Sequence, residues 1–161
     1  MIITVSEFLN ASGLPVSDEI DDKKIERAIF TAEQFIVKPR LGDKNYIDII
    51  NTPLQFTTIL NGGTVTEEDE NHNTKYIYLS GLKRAIYELS FAMLLRDNLT
   101  STTFGSVLKK DDYSDQASEE RLNAVARYHT EIGMAYLKEI TDYWKIDNSG
   151  KNLNNWFEEL L

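Results

Sequence analysis

Hydrophobic residues recur every three or four positions along most of this chain, and one central stretch departs from that rhythm. From Asp21 and Asp22, acids suited to a helix N-terminus, Ile25, Ala28, Ile29, Ala32, Phe35 and Ile36 share one face until Pro39 and Gly42 end the element. Phe30 and Val37 sit on the opposite face, among Glu26 and Glu33, and two readings are open. The chain's own hairpin or tail covers them, or they are a subunit contact. Upstream, Ser6 to Asn10 fits one helical turn before the break at Ser12-Gly13-Leu14-Pro15. Downstream, Tyr46, Ile47, Ile49 and Ile50 mark a short helix. Thr52-Pro53 reads as a cap with proline at the first helical position, opening a second short helix from Leu54 to Leu60.

The rhythm changes after Asn61-Gly62-Gly63. Thr64-Val65-Thr66 and Lys75-Tyr76-Ile77-Tyr78-Leu79 are β-branched and aromatic and flank a polar connector, which predicts a two-stranded hairpin over about 64–79. Ser80-Gly81 then opens a long helix to about Asn98. Its second half, Phe91 to Leu95, is apolar on all sides, as expected of the central helix of a bundle. Thr100 to about Asp115 is a long polar connector anchored at Phe104-Gly105 and Tyr113. From about Gln116 or Ser118 to Trp144, the residues Leu122, Val125, His129, Ile132, Tyr136, Ile140 and Tyr143 form a sustained stripe opposite Glu120, Arg127, Glu131 and Lys138. Gly133 lies in that stripe and predicts close approach of another helix. After a break at Asp147 to Asn152, the chain ends in Trp156, Phe157, Leu160 and Leu161.

The predicted fold is mainly α: a helical bundle with two long helices, shorter N-terminal helices and a small β-hairpin insertion. The bundle occupies 1–145 and a C-terminal interaction tail 146–161. The tail puts four large apolar groups within six residues, the form of an anchor that enters a groove, either on its own domain or on a neighbour. Trp156 is its strongest candidate contact.

Composition narrows the function classes. The 161 residues are 42% hydrophobic, enough for one core. A net charge of −9 has the wrong sign for holding phosphates, yet suits a surface that DNA slides past. With no cysteine there is neither disulfide nor thiolate chemistry. The N-terminus lacks the pattern of a signal peptide, and no apolar run approaches the ~20 residues of a membrane span. A soluble protein made in the cytoplasm is expected.

Candidate chemistry is sparse. Of the two histidines, His72 falls in the polar hairpin tip and His129 on the apolar stripe, where a packed, hydrogen-bonded role is expected. A di-iron carboxylate bundle needs Glu-x-x-His, and the residue three before His129 is Ala126. Glu67-Glu68-Asp69-Glu70 lacks the spacing of a calcium loop, and Asn61-Gly62-Gly63 leads into a strand and not into a helix N-terminus. The sequence predicts no enzyme, no metal site and no cofactor.

A resemblance adds a specific expectation. Ala32 through Gln34-Phe35-Ile36-Val37-Lys38-Pro39-Arg40-Leu41-Gly42, then Leu60-Asn61-Gly62-Gly63-Thr64 and the Tyr76 to Leu82 junction, occur in the order of a known virion protein family. Thr103-Phe104-Gly105-Ser106-Val107, Tyr113-Ser114 and Ile132-Gly133-Met134-Ala135-Tyr136-Leu137 continue the similarity. The chain resembles the head-to-tail connector (adaptor or head-completion) proteins of crAss-like and related Bacteroides tailed phages. That resemblance implies a structural protein at the portal vertex of the virion. It would form a homo-oligomeric ring, typically twelvefold, between the portal protein and the next tail or ring protein, with DNA passing through the lumen and no membrane association. Phe30, Val37, Trp156, Phe157, Leu160 and Leu161 are the candidate subunit or partner contacts. The alternative is a small acidic helical regulatory or inhibitor protein that binds a basic partner.

Overall fold

The computed structural model describes residues 1–11, 14, 20–68, 72, 74–99 and 119–144. Helix α1 (Val5–Leu9) starts at a reciprocal cap in which the Glu7 amide donates to the Thr4 hydroxyl and the Thr4 amide to the Glu7 carboxylate. Helix α2 (Asp22–Ala32) is capped by Asp21, whose carboxylate accepts from the Lys23 amide. It runs without interruption through a π-helical segment (Glu33–Val37) into α3 (Lys38–Leu41). Gly42 turns the chain into α4 (Asp43–Asn51), and a 3-10 turn (Pro53–Phe56) leads to α5 (Thr57–Asn61). Strands β1 (Gly63–Glu68) and β2 (Thr74–Leu79) pair antiparallel, with Val65 opposite Ile77 and Thr64 opposite Tyr78. Two long helices complete the bundle, α6 (Leu82–Leu99) and α7 (Glu119–Tyr143).

The predicted class, a helical bundle with a small hairpin, is the class observed. α6 is its axis: Leu82, Ala85, Ile86, Leu89, Phe91, Ala92, Leu94 and Leu95 are all buried, because α2 covers one side of the helix and α7 another. The Ser80 amide meets the Glu139 carboxylate, Leu89 lies against Gly133, and Glu88 meets His129. As numbers rise along α6 they fall along α7, so the two run antiparallel.

Gly133 explains how close they come. A Cβ built there would lie 2.7 Å from Leu89 Cγ and 3.0 Å from the Ala85 carbonyl oxygen, distances no ordinary contact allows. The neck of the hairpin closes by the same logic. Gly62 and Gly81 both have positive φ, and a Cβ on Gly81 would stand 2.6 Å from the Gly62 nitrogen. Asn61-Gly62-Gly63 is therefore the place where the hairpin's two ends cross at van der Waals distance.

The π-helical segment corrects the reading of the α2 region. An α-helix turns every 3.6 residues, and the i→i+5 bonds of a π segment add about one residue to that turn. The inward face therefore passes to Ile36 and Val37, both buried, while Phe35 swings out to 56% exposure. Val37, expected on the outer face, is fully buried in the core and is not available as a subunit contact. Glu33, expected beside it on the outside, is fully buried too.

A second correction concerns Thr52. It does not cap the following helix. Its hydroxyl donates back to the Asp48 carbonyl, closing α4, and the segment after it begins as a 3-10 turn. The predicted connector from Thr100 to Asp115 lies outside the described residues.

Candidate interaction surface

Burial of Glu33 is the structural fact from which the outer surface follows. Its carboxylate accepts hydrogen bonds from the Ile2 amide (2.7 Å), the Ile3 amide (3.3 Å) and the Tyr46 hydroxyl (2.7 Å). Gln34 Nε2 in turn donates to the Tyr46 oxygen at 3.0 Å. A buried carboxylate is tolerable only when its lone pairs are satisfied, and these donors do so while tying the N-terminal segment and α4 to the π turn. Burial, together with the neighbouring carboxylate, pushes the Tyr46 hydroxyl well above the ordinary tyrosine range. It stays a donor at any physiological pH.

With Glu33 turned inward, the outer face of α2 and the π segment carries two exposed aromatics, Phe30 at 49% and Phe35 at 56%. Phe30 is where the sequence placed it. Phe35 replaces Val37 as its companion. On α4, Ile47 and Ile50 are also exposed.

The hairpin supplies a second and different surface. Val65 and Ile77 are half-buried on its inner face and pack against the core, where β1 meets α5 and β2 meets α7. Alternation then directs Tyr76 and Tyr78 outward, at 72% and 65% exposure, beside Thr64 and Thr66 of the opposing strand. The sheet has two strands among the described residues, so each has an outer edge with no strand beside it. Backbone donors and acceptors on such an edge are a template for another strand.

The histidine of the apolar stripe is built into the bundle. His129 Nδ1 lies 2.5 Å from Glu88 Oε2, and the imidazole stands edge-on to Phe91 with centroids 4.7 Å apart. This contact joins α6 to α7. His72 is exposed in the hairpin tip. No group of three or more acidic or histidine side chains among the described residues is placed to hold a metal ion, and no helix among them is long and apolar enough to cross a membrane. Trp156, Phe157, Leu160 and Leu161 lie outside the described residues.

Sequence reasoning missed Glu33 and Phe35. The available signal was the run Phe35-Ile36-Val37, three consecutive large apolar residues where one helical face accommodates two. A π turn resolves that crowding.

The family model described as a family of unknown function, DUF6712, matches residues 37–149. That region takes in α3 to α7 and the hairpin and leaves out Phe30, Phe35 and the aromatic C-terminus. Neither a curated protein nor a solved structure matches the chain.

Proposed function

The chain belongs to that family of unknown function, and on this premise we propose that it is a non-catalytic structural subunit, a head-to-tail connector that rings the portal vertex of a tailed bacteriophage. The observation that carries the reading is the presence, on one small chain, of two exposed apolar or open-edged surfaces of different chemistry. One is the aromatic seam of Phe30 and Phe35, the other the tyrosine face and open edges of the hairpin. A closed ring joins unlike faces of successive subunits, so each subunit must present two of them. Burying a half-exposed phenylalanine contributes on the order of 1 kcal/mol, which makes each contact weak alone and effective when a ring repeats it. The likeness to connector proteins in the order of sequence segments supports the reading, as does the net charge of −9, which lets DNA pass a lumen without adhering. The partners are further copies of the chain, twelve by that likeness, the portal protein and the adjacent tail protein.

Light scattering across a concentration series, with sedimentation against purified portal, tests the proposal. Expected is a mass rising toward a ring of 18.5 kDa subunits, or co-sedimentation with portal, and loss of either in a Phe30→Ser, Phe35→Ser double variant that keeps its helical circular dichroism. A chain that stays monomeric at all concentrations and does not sediment with portal would overturn it. Tight 1:1 capture of a basic partner by such a monomer would mark it instead as an inhibitor.

A further inference from the structure

At the end of α7 the surface opens into a groove of about 630 Å³, walled by Leu54, Phe56, Ile59, Val65, Tyr143 and Trp144. Phe56 and Trp144 meet edge-to-face with centroids 5.8 Å apart within its lining. Leu54, at 90% exposure, stands on its rim as the most exposed large apolar side chain among the described residues. The rest of the described lining is Gln55, Thr57 and Thr58, so no charged group among the described residues faces the groove. An occupant held by ion pairs finds no partner here, and one with large apolar side chains does.

We infer that this groove is the seat of the chain's own C-terminal segment, with Trp156, Phe157, Leu160 and Leu161 covering Leu54 and Phe56. The chain leaves the described residues at Trp144, which is itself part of the wall. Twelve steps separate Trp144 from Trp156, a span of up to about 40 Å for extended chain, and the intervening Asp147-Asn148-Ser149-Gly150-Lys151-Asn152 is polar enough to turn back through solvent. A tether of this length gives the segment an effective concentration of order millimolar at its own groove, which outcompetes a second copy at micromolar concentration. The last six residues place their four apolar groups as two adjacent pairs four positions apart in sequence, with Glu158 and Glu159 between the pairs.

The chain contains no cysteine, so an engineered pair reports without interference. Full-length protein carrying Leu54→Cys and Leu160→Cys is oxidised at low micromolar concentration, and its disulfide is mapped by non-reducing mass analysis. Leu54 is exposed, so the replacement leaves the fold intact. Arg127→Cys with Leu160→Cys controls for random collision, because Arg127 is exposed on α7 within the segment's extended reach. Expected is an intramolecular disulfide in most molecules of the first variant and at least tenfold less in the second. Equal cross-linking in the two, none in the first, or exclusively dimeric product would each overturn the inference. A second readout uses Trp144→Phe, which leaves Trp156 as the sole tryptophan. Its emission should be blue-shifted and move to the red on adding Leu54→Glu, and an emission unaffected by that change would also overturn it. Neither result depends on whether the protein assembles into rings.

Discussion

Replacing Gly133 by alanine sets two effects of comparable size against each other, and the structure decides between them. Alanine is the better helix former by about 1 kcal/mol, so at an exposed position on α7 the change would stabilise the protein. At Gly133 the new methyl would stand 2.7 Å from Leu89 Cγ and 3.0 Å from the Ala85 carbonyl oxygen. Carbon atoms rest at about 3.5–4.0 Å, so the methyl arrives roughly 1 Å too close. Leu89 cannot withdraw cheaply because it is fully buried and the contact is with its branching carbon, and the carbonyl belongs to the backbone of α6. Relief requires the two long helices to separate, and overpacking of this kind costs about 1–3 kcal/mol. The net expectation is destabilisation by about 1 kcal/mol, a fall in melting temperature of roughly 2–4 °C for a chain of this size. Urea unfolding followed by far-UV circular dichroism measures it. Ala135→Gly, at an exposed position of the same helix, calibrates the propensity term in place. If Gly133→Ala were stabilising by as much as Ala135→Gly is destabilising, the close approach of α6 and α7 would be refuted.

Glu33→Ala removes the common acceptor of the Ile2 and Ile3 amides and the Tyr46 hydroxyl, and with about 1–3 kcal/mol for each buried donor left unpaired it should destabilise by about 3–5 kcal/mol. A loss below about 1 kcal/mol in urea would show that these bonds do not anchor the N-terminal segment. The Glu7 carboxyl is held below the usual glutamate range, mainly by the Lys83 ammonium at 2.7 Å, with burial opposing and Thr4 assisting. A depressed carboxyl pKa stabilises the fold above the ordinary value and loses that contribution as pH falls through the folded-state value. Lys83→Met should therefore lower stability at neutral pH by an amount that shrinks as the pH falls through the folded-state value of Glu7; a deficit that stays the same size across the acid range would mean that the ion pair contributes nothing. The Ser90 hydroxyl is fully buried and has no hydrogen-bond partner among the described residues, so Ser90→Ala should be neutral or stabilise by up to about 1 kcal/mol. Destabilisation beyond that would point to a bond the geometry does not show.

The bundle was legible in the sequence because its two long helices are long apolar-rich segments, periodic on α7 and in the first half of α6 and apolar on all sides in the second half of α6. On α7 the stripe places Leu122 and Ile140 in the core but leaves Val125, His129, Ile132, Tyr136 and Tyr143 half-buried, because the innermost side chains, Ala126, Thr130 and Leu137, lie one position further along. The apolar second half of α6 is buried apart from Met93, and Gly133 announced the contact between the two helices. The hairpin was legible for the complementary reason, since β-branched and aromatic residues alternate there and two glycine-bearing turns bound it. The outer face of α2 was not legible beyond Phe30. A periodicity argument carries the phase forward from residue to residue, and one extra residue in a turn at Glu33–Val37 changes that phase with no glycine or proline at the point of change. Glu33 reads as a solvated acid unless its three donors are known. Two of them lie some thirty positions upstream and the third is on a different helix, so nothing local signals them. Thr52 failed differently: its neighbour Pro53 made a cap attractive, while both its amide and its hydroxyl donate to the Asp48 carbonyl of the preceding helix.

The π turn also bears on how such a surface changes by descent. Loss of one codon between Glu33 and Val37 would restore an unbroken α-helix and, in a single genetic step, exchange which side chains of this element face the solvent. Point substitution alters one contact at a time. An insertion or deletion here changes several exposed positions at once while α6, α7 and the hairpin keep every residue, so the length of this short segment is itself a heritable determinant of the surface the protein presents.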